Sequence, residues 1–506
     1  MQEARGRRQK MLWVWIAAIA FIAVNTVCIA LEFFYLPLLP AALLFFLIAF
    51  TRIDVLLYII VFFVPLSIPL SELMEGLPVD LYLPTEPLLA ALLLVFLFKY
   101  LSGERMDLKI LRHPVSIAIY FNLAWMAVTV ITSSDPLVSV KFFVSRLWFI
   151  VGFYILAIQV FRREKNMHKY VWLYVISFAV VIAYTIIRHS AYGLDNQMMA
   201  HSMMQPFYKD HTSYGATLAL LLPVLLAFFG LTKRGDINSR FLMILLILVF
   251  VAATVFSYTR AAWVSLVGGF AIWIVIRMRI KFEILAIAGL VIFALFFVFQ
   301  TQILMNLEGN NQKSSGDFGE HVQSISNVSN DQSNLERINR WSCAYRMWKD
   351  RPIFGYGPGT FQFEYGKFQR SFEKTEISTD FGIRGTAHSE YLGPLSESGV
   401  LGMLSMLIII VTAIITGIRV YIRAQSRSIR IFSLGILIGL ITYYIHGILN
   451  NFLDTDKASA LFWGFTGMLV AMDIYHKENR VKDEPGETIG RTKMEEVLEE
   501  KPEDLK

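Results

Sequence analysis

The sequence lacks the patterns by which many metal-dependent, nucleotide-binding and redox enzymes are recognised. Only two cysteines occur among its 506 residues, Cys28 in an apolar run and Cys343 in a polar segment, which argues against a disulfide framework and a thiolate metal site. No Walker loop, dinucleotide fingerprint, zinc-protease motif or internal repeat of fixed period is present in the sequence. We therefore expect neither a cofactor nor a metal, and the chemistry has to come from ordinary side chains.

Charge is also scarce. Charged residues make up 17% of the chain and hydrophobic residues 56%, whereas an average soluble protein has about 25% charged residues. Apolar stretches of about 17–20 residues recur, each long enough to cross a hydrocarbon core of about 30 Å. Candidate spans start near Met11, Phe33, Asp54, Glu86, Pro114, Phe142, Tyr170, Thr212, Phe241, Ala261, Phe282, Val400, Ile431 and Ala458. The predicted fold class is an all-α polytopic membrane protein with about 12–14 transmembrane helices.

Lysine and arginine are concentrated in alternate connections between these spans. The connections rich in lysine and arginine include residues 5–10, 162–169 and 419–430, and the opposite short loops carry very few of these residues. By the positive-inside rule both termini are cytoplasmic. The first apolar run lacks a small-residue cleavage site and is interpreted as a retained anchor. The formal charge of +6 then reflects topology and implies no nucleic-acid partner.

This topology divides the chain into five parts. A cytoplasmic N-terminus (residues 1–10) precedes a transmembrane bundle of about eleven spans (11–300). A large external loop (301–398) and the C-terminal spans (399–475) follow, and residues 476–506 form a polar cytoplasmic tail that is not expected to fold. Function is expected in the large loop, because it far exceeds ordinary connection lengths.

The large loop contains a predicted amphipathic helix on the outer membrane surface. In "SNLERINRWSCAYRMWKDRP" the apolar positions at helical spacing are Leu335, Ile338, Trp341, Ala344, Tyr345 and Trp348, with Arg337, Arg340 and Arg346 between them. The tight turn "FGYGPGTF" follows and carries Tyr356. A second external connection, residues 189–211, ends at His211. Tyr356 and His211 are therefore candidate substrate contacts.

Three arginines are candidates for binding an anion. Arg260, in "FSYTRAAWVSLVGG", joins two spans with almost no loop, and should face protein, water or an anionic ligand, or else snorkel to the interface. Arg337 and Arg340 carry planar guanidinium groups that suit a phosphate. The alternative for these two is a basic helix face that meets anionic lipid head groups.

The stretch "TAHSEYLGPLSESGVLG" places His388 and Glu390 where an apolar run begins. A histidine can take a proton from a hydroxyl near neutral pH, so His388 is the candidate catalytic base, although a structural role is the common alternative. Glu390 is interpreted as a residue that orients a neighbour or binds a sugar, or as a carboxylate favoured at a helix start.

Further polar residues lie within the apolar runs near the outer side. Arg146, in "KFFVSRLWFIVGF", either faces substrate or pairs with an acid elsewhere. His446, Asn450, Asn451 and Asp454 lie near the end of one late span, where hydrogen bonding between helices is the simpler interpretation. Arginine and histidine at a membrane surface suit a substrate with a lipid tail, a diphosphate head and a hydroxyl acceptor.

Taken together, these residues resemble the O-antigen ligase and polymerase superfamily of bacterial membrane glycosyltransferases. The resemblance rests on "TRAAW", on "ERINRWSCAYRMWKDRPIFGYGPGTF" and on "HSEYL", and extends over residues 205–475. It implies a fold similar to the class C glycosyltransferases, and transfer of a glycan from undecaprenyl diphosphate on the periplasmic side of the inner membrane. Arg260 and Arg337 would hold the diphosphate, and His388 would be the base or would position the acceptor. Ser389 departs from the common "H-N-x-x-L" form, which puts an amide contact in doubt.

The motifs leave the acceptor open. It is a glycolipid of the lipid A core type for a ligase, a growing polysaccharide for a polymerase, or a protein for a protein O-oligosaccharyltransferase. A lipid-linked glycan transporter is the alternative from another class, because many spans with charges inside the membrane also suit transport. Transporters more often show two similar halves, which this sequence lacks.

Overall fold

The structure is a computed structural model that describes residues 2–31, 50–72, 81–103, 106–280, 332–374 and 385–476, with isolated positions at 36, 40, 48, 283 and 378. The predicted spans that start near Phe33 and Phe282 lie outside these ranges, as do the opening of the large loop and the polar tail.

The described part of the chain is almost entirely helical. Its longer helices are α1 (Gln2–Ala30), α2 (Ile53–Phe63), α3 (Thr85–Leu101), α4 (Pro114–Ile131), α5 (Pro136–Ile150), α6 (Glu164–Ser190), α7 (His211–Leu231), α8 (Ile237–Phe256), α9 (Arg260–Met278), α10 (Gln332–Asp350), α11 (Leu392–Arg423), α12 (Arg427–Leu449) and α13 (Asp456–Tyr475). A π-helical segment, Val151–Leu156, prolongs α5. The two short strands, β1 (Ile68–Pro69) and β2 (Tyr82–Leu83), pair antiparallel.

Ten helices in the described ranges are long and apolar enough to cross a membrane, which confirms the all-α polytopic fold class. The spans predicted from Asp54 and Glu86 are shorter than expected. The first ends in a 3₁₀ turn that contains Pro65, and the second is the 17-residue helix α3, which starts directly after Pro84. Pro65 lacks the N–H that would continue α2, and Pro84 disfavours a helical conformation at Leu83 before it, so a proline marks each boundary.

The core of the bundle is built from α7, α12 and α13. Their apolar windows are 72%, 78% and 89% buried, whereas none of the α1 window is buried by the described residues. Gly435 and Gly439, four residues apart on α12, face α7 so closely that a Cβ atom on either would lie 2.5 Å from Ala227 Cβ or from Leu220 O. Small residues at this spacing allow two membrane helices to touch backbone to backbone.

Polar contacts define the two ends of the bundle. The end at which α7, α9, α11 and α13 begin, and against which α10 packs, is called the loop face here; the opposite end is the tail face. At the tail face, Asp473 Oδ2 lies 3.2 Å from His113 Nε2 and 3.5 Å from Arg419 Nη1. At the loop face, the Asp456 carboxylate accepts hydrogen bonds from Ser67 at 2.6 Å and Thr85 at 2.5 Å. These contacts tie the N-terminal helices to α13.

The helix predicted in the large loop is confirmed as α10, but the side that packs is not the predicted apolar face. The buried side chains are Glu336, Asn339, Arg340, Cys343, Ala344 and Met347, and only Ala344 belongs to both sets. Ile338 and Tyr345 are 41% and 47% exposed. The reason is that α10 packs on α11 and on the turn Tyr365–Phe368, where its polar side chains find partners.

The glycine-rich turn that follows α10 fits between the α4–α5 connection and α11. Gly355, Gly357 and Gly359 have φ values of 66°, 109° and 77°, a region that side chains with a Cβ rarely adopt. A Cβ atom at Gly357 would also clash with Ser133, between α4 and α5. On the other side, α11 is kinked at Gly399, with φ 68°, where the backbone of Ile353 approaches. The turn therefore fixes how α10 enters the loop face.

Candidate functional site

Two helices begin beside each other at the loop face. His211 is the first residue of α7 and Arg260 the first of α9, and Thr259 Oγ1 donates to the His211 carbonyl at 2.7 Å. Asp210 caps α7, its Oδ1 accepting from Ser213 N–H at 2.8 Å. Because helix N-termini carry partial positive charge, this corner of the bundle favours an anion.

Arg337 brings a second guanidinium to this corner from α10. It lies within electrostatic reach of Arg260 and of the Asp210 carboxylate. Burial lowers the pKa of Arg337, and Asp210 opposes that effect, so the side chain stays charged. The two predicted anion-binding residues, distant in sequence, therefore meet in the fold.

His388 lies on the other side of Arg337, immediately before α11. Its backbone has φ 48°, and its carbonyl oxygen accepts from Trp341 Nε1 of α10 at 3.4 Å. Burial lowers the pKa of His388 to about 3, and the charges of Arg340 and Arg337 act in the same direction. The neutral ring is the form that can accept a proton.

Ser389 has a structural reason to replace an amide residue. Its Oγ accepts from the backbone N–H groups of Tyr391 and Leu392, both at 3.3 Å, so it caps the first turn of α11. Serine is among the side chains favoured for this role, so the departure at this position leaves the start of the helix intact.

Arg340 holds the His388 segment in place. Its side chain is buried, with Nε donating to Glu336 at 2.8 Å and Nη1 donating to the Thr386 carbonyl at 3.1 Å. The guanidinium also lies over the Tyr365 ring. These bonds join α10 to the backbone two residues before His388. The predicted diphosphate contact of Arg340 remains a prediction.

Glu390 clamps the start of α11 to the connection between α12 and α13. Its Oε1 accepts from Tyr443 Oη at 2.7 Å and from the N–H groups of Phe452 and Leu453 at 2.7 and 3.0 Å. Its own N–H donates to the Gly447 carbonyl at 2.8 Å. Burial raises the pKa of Glu390 to about 7, and the charge of Asp454 adds to this shift. Of the roles considered, orienting its neighbours matches these contacts.

Arg146 pairs with an acid, which was one of its two predicted alternatives. Nη2 lies 2.9 Å from Asp454 Oδ1, and Nη1 donates to the Leu453 carbonyl at 3.3 Å. Arg146 and Glu390 both line a cavity of about 40 Å³ inside the bundle. They form a polar group beneath the connection between α12 and α13.

The two remaining candidate contacts are placed differently. His211 joins the arginine corner, since Arg337 and Arg260 both lie within its electrostatic reach. Tyr356 lies in the glycine-rich turn, where its Oη donates to Asp350 at 2.5 Å and its carbonyl oxygen accepts from Ser134 N–H at 2.8 Å. These contacts support the turn.

Sequence reasoning missed three residues near the arginines: His201, Asp210 and Glu336. The rule for helix N-caps, applied to "KDHTS", would have found Asp210. His201 and Glu336 carry no local signal, because their positions depend on tertiary packing. Within the described ranges, no three His, Cys, Asp or Glu side chains are grouped so that they could hold a metal ion.

The chain matches a known protein family over part of its length. A family model described as O-antigen ligase matches residues 245–407, a segment that contains Arg260, Arg337, Arg340, Tyr356 and His388 and ends within α11. No curated protein matches the chain. The match supports a glycosyltransferase of the O-antigen ligase or polymerase type.

The clamp role of Glu390 predicts a large stability effect. Glu390→Ala leaves three donors without their acceptor and should destabilise the protein by about 3 kcal/mol or more, because each buried unsatisfied group costs about 1–3 kcal/mol. Glu390→Gln keeps a carbonyl oxygen and should stay closer to wild type. The melting temperature of the detergent-purified protein measures both.

The control is Asp54→Ala. That carboxylate, 40% exposed, pairs with Arg52, which is 62% exposed, so its loss should change the melting temperature little. A Glu390→Ala protein that melts with wild type would show that the clamp does not stabilise the loop face.

Proposed function

We propose that this chain, a member of the O-antigen ligase-like superfamily, moves a glycan from undecaprenyl diphosphate to the hydroxyl group of an acceptor. The observation that carries the proposal is that Arg337 lies within electrostatic reach of both Arg260 and His388 at the loop face. A paired positive charge suits a diphosphate, and a neutral imidazole beside it suits deprotonation of a hydroxyl.

The diphosphate is held by Arg260 and Arg337 in this proposal. Each guanidinium can donate two parallel hydrogen bonds to phosphate oxygens, and α9 adds the partial charge of its first turn. Arg340 contributes positive charge and keeps the His388 segment against α10 through Thr386. As the leaving diphosphate gains charge in the transition state, these groups stabilise it more strongly than they stabilise the bound donor.

The transfer is a single displacement. The acceptor oxygen attacks the anomeric carbon, its proton passes to an imidazole nitrogen of His388, and the bond from that carbon to the diphosphate oxygen breaks. Undecaprenyl diphosphate leaves with the bonding electron pair. One displacement inverts the configuration at the anomeric carbon.

The proposed location is the bacterial inner membrane, with both termini in the cytoplasm and the active site on the periplasmic side. The charge distribution supports it, because the connections at the tail face carry residues such as Arg112, Arg162, Lys233 and Arg427, and positive residues stay on the cytoplasmic side. A donor whose lipid tail lies in the outer leaflet then presents its diphosphate at the depth of the loop face.

The proposed acceptor is a glycolipid of the lipid A core type, which makes the enzyme a ligase. The glycan profile of a deletion strain tests this choice. Loss of all surface polymer from the lipid A core supports the ligase. Accumulation of single repeat units points to a polymerase instead, and unmodified glycoproteins point to a protein transferase.

His388→Ala should abolish transfer while leaving donor binding nearly intact. Removing the base stops proton transfer, whereas the arginines that hold the diphosphate remain. The measurement is release of undecaprenyl diphosphate by purified protein given lipid-linked glycan and acceptor, alongside the affinity for the donor. Transfer at near wild-type rate by this variant would refute the assigned role.

The pH dependence follows from the lowered pKa of His388. With a pKa of about 3 the ring is neutral at every pH well above that value. Protonation of His388 should therefore not lower kcat/KM between pH 7 and pH 5. A histidine with the ordinary pKa of about 6.5 would lose about 25-fold of its neutral form over that interval. A pH–rate profile with such an acidic limb, absent in a donor-binding control, would contradict the buried neutral base.

A further inference from the structure

Two imidazole rings stack beside the arginine corner. The rings of His201 and His211 are 4.1 Å apart between centroids and 14° from parallel. His211 opens α7, and His201 belongs to the connection before it. Both lie outside residues 245–407, so the family match gives them no role.

The stack borders the arginine corner, with both Arg337 and Arg260 within electrostatic reach of His211. Thr259 Oγ1 holds the His211 carbonyl at 2.7 Å, which fixes His211 next to the first residue of α9. His201 is within electrostatic reach of Arg260. His388 borders the same corner on the side of Arg337 and Arg340. A diphosphate held by the arginines would therefore have His388 and the stacked pair as neighbours.

The stack presents a neutral and accessible surface. Burial lowers the pKa of His201, an effect that Arg260 reinforces and Asp210 opposes, and the residue is nevertheless exposed. In the described part of the chain, Nδ1 of His211 is buried and has no hydrogen-bond partner. Neutral imidazole offers both a donor and an acceptor.

The connection that carries His201 is held in position before any substrate arrives. Arg188 Nη1 donates to the Gln205 carbonyl at 2.6 Å, and Tyr184 Oη donates to the same oxygen at 3.0 Å. Tyr258 Oη donates to the Leu194 carbonyl at 3.0 Å. The connection that carries the stack is thus preformed, as is usual for the elements of small-ligand sites.

We infer that His201 and His211 form the subsite for the first sugar of the donor, the one bonded directly to the diphosphate. This inference rests on the proposed function, which places the diphosphate at Arg260 and Arg337. The first sugar must lie within one bond of the phosphate, and the stack adjoins Arg260. A ring face packs against the C–H groups of a pyranose, and imidazole nitrogens exchange hydrogen bonds with its hydroxyl groups. A second phosphate would instead call for charged side chains.

The test compares two lipids that differ only in the sugar. Full-length protein in nanodiscs is titrated with undecaprenyl diphosphate and with the undecaprenyl-diphosphate-linked glycan purified from the producing cells. His201→Ala should weaken binding of the glycan-bearing lipid by about tenfold, as expected for loss of a stacking contact and a hydrogen bond. Its affinity for undecaprenyl diphosphate should not change. His201→Phe keeps a ring face and should lose only about threefold.

The control is Met198→Ala on the same connection. Met198 is 76% exposed and is not part of the stack, so both affinities should remain those of wild type. The sugar subsite would be overturned if His201→Ala and His201→Phe weakened the binding of both lipids equally. It would also be overturned if neither variant weakened the binding of either lipid. Failure of the wild-type protein to bind undecaprenyl diphosphate would instead overturn the proposed function.

Discussion

The approach of two like charges is the constraint on which the loop face depends. Arg260 and Arg337 carry like charges within electrostatic reach of each other, and the fold holds them together through other contacts. Asp210 lies within reach of Arg337. The hydrogen bond from Thr259 to His211 fixes the start of α9, and packing of α10 on α11 fixes Arg337. An anion placed between the arginines would relieve the repulsion, which is the basis of the proposed diphosphate site.

The rest of the bundle positions the arginine corner by fixing where the helices around it begin. Gly435 and Gly439 bring α12 against α7, and Glu390 joins the start of α11 to the connection before α13. Several ionisable residues inside the apolar runs therefore have structural partners, as with Arg146 and Asp454. An intramembrane charge is commonly taken as a sign of function, but here the charges at the helix starts and those inside the bundle have different roles. The charged side chains within reach of His388 are Arg337, Arg340 and Glu336 of α10 and the helix cap Asp210.

The sequence was sufficient for features that depend on local composition. Apolar length predicted the ten spans, and the spacing of "ERINRWSCAYRMW" predicted α10. The sequence was insufficient where tertiary packing decides which side of a helix is buried and which distant residues come into contact. The packed side of α10 is mixed in polarity because Arg340 finds Glu336 and the Thr386 carbonyl, and no hydrophobic pattern contains that information. The clamp of Glu390 depends on Phe452 and Leu453, far along the chain. The pattern of a helix start could have identified Asp210 as an N-cap, but it could not have shown that Asp210 lies near Arg337.

Arg337→Lys tests whether Arg337 binds the diphosphate, as we propose, through its guanidinium fork. Lysine keeps the charge but cannot donate two parallel bonds, so affinity for undecaprenyl diphosphate should fall by about tenfold or more. Arg346→Lys on the same helix is the matched control, because Arg346 pairs with Glu373 away from the corner, and its affinity should equal that of wild type. An Arg337→Lys protein that binds undecaprenyl diphosphate as tightly as wild type would contradict the account.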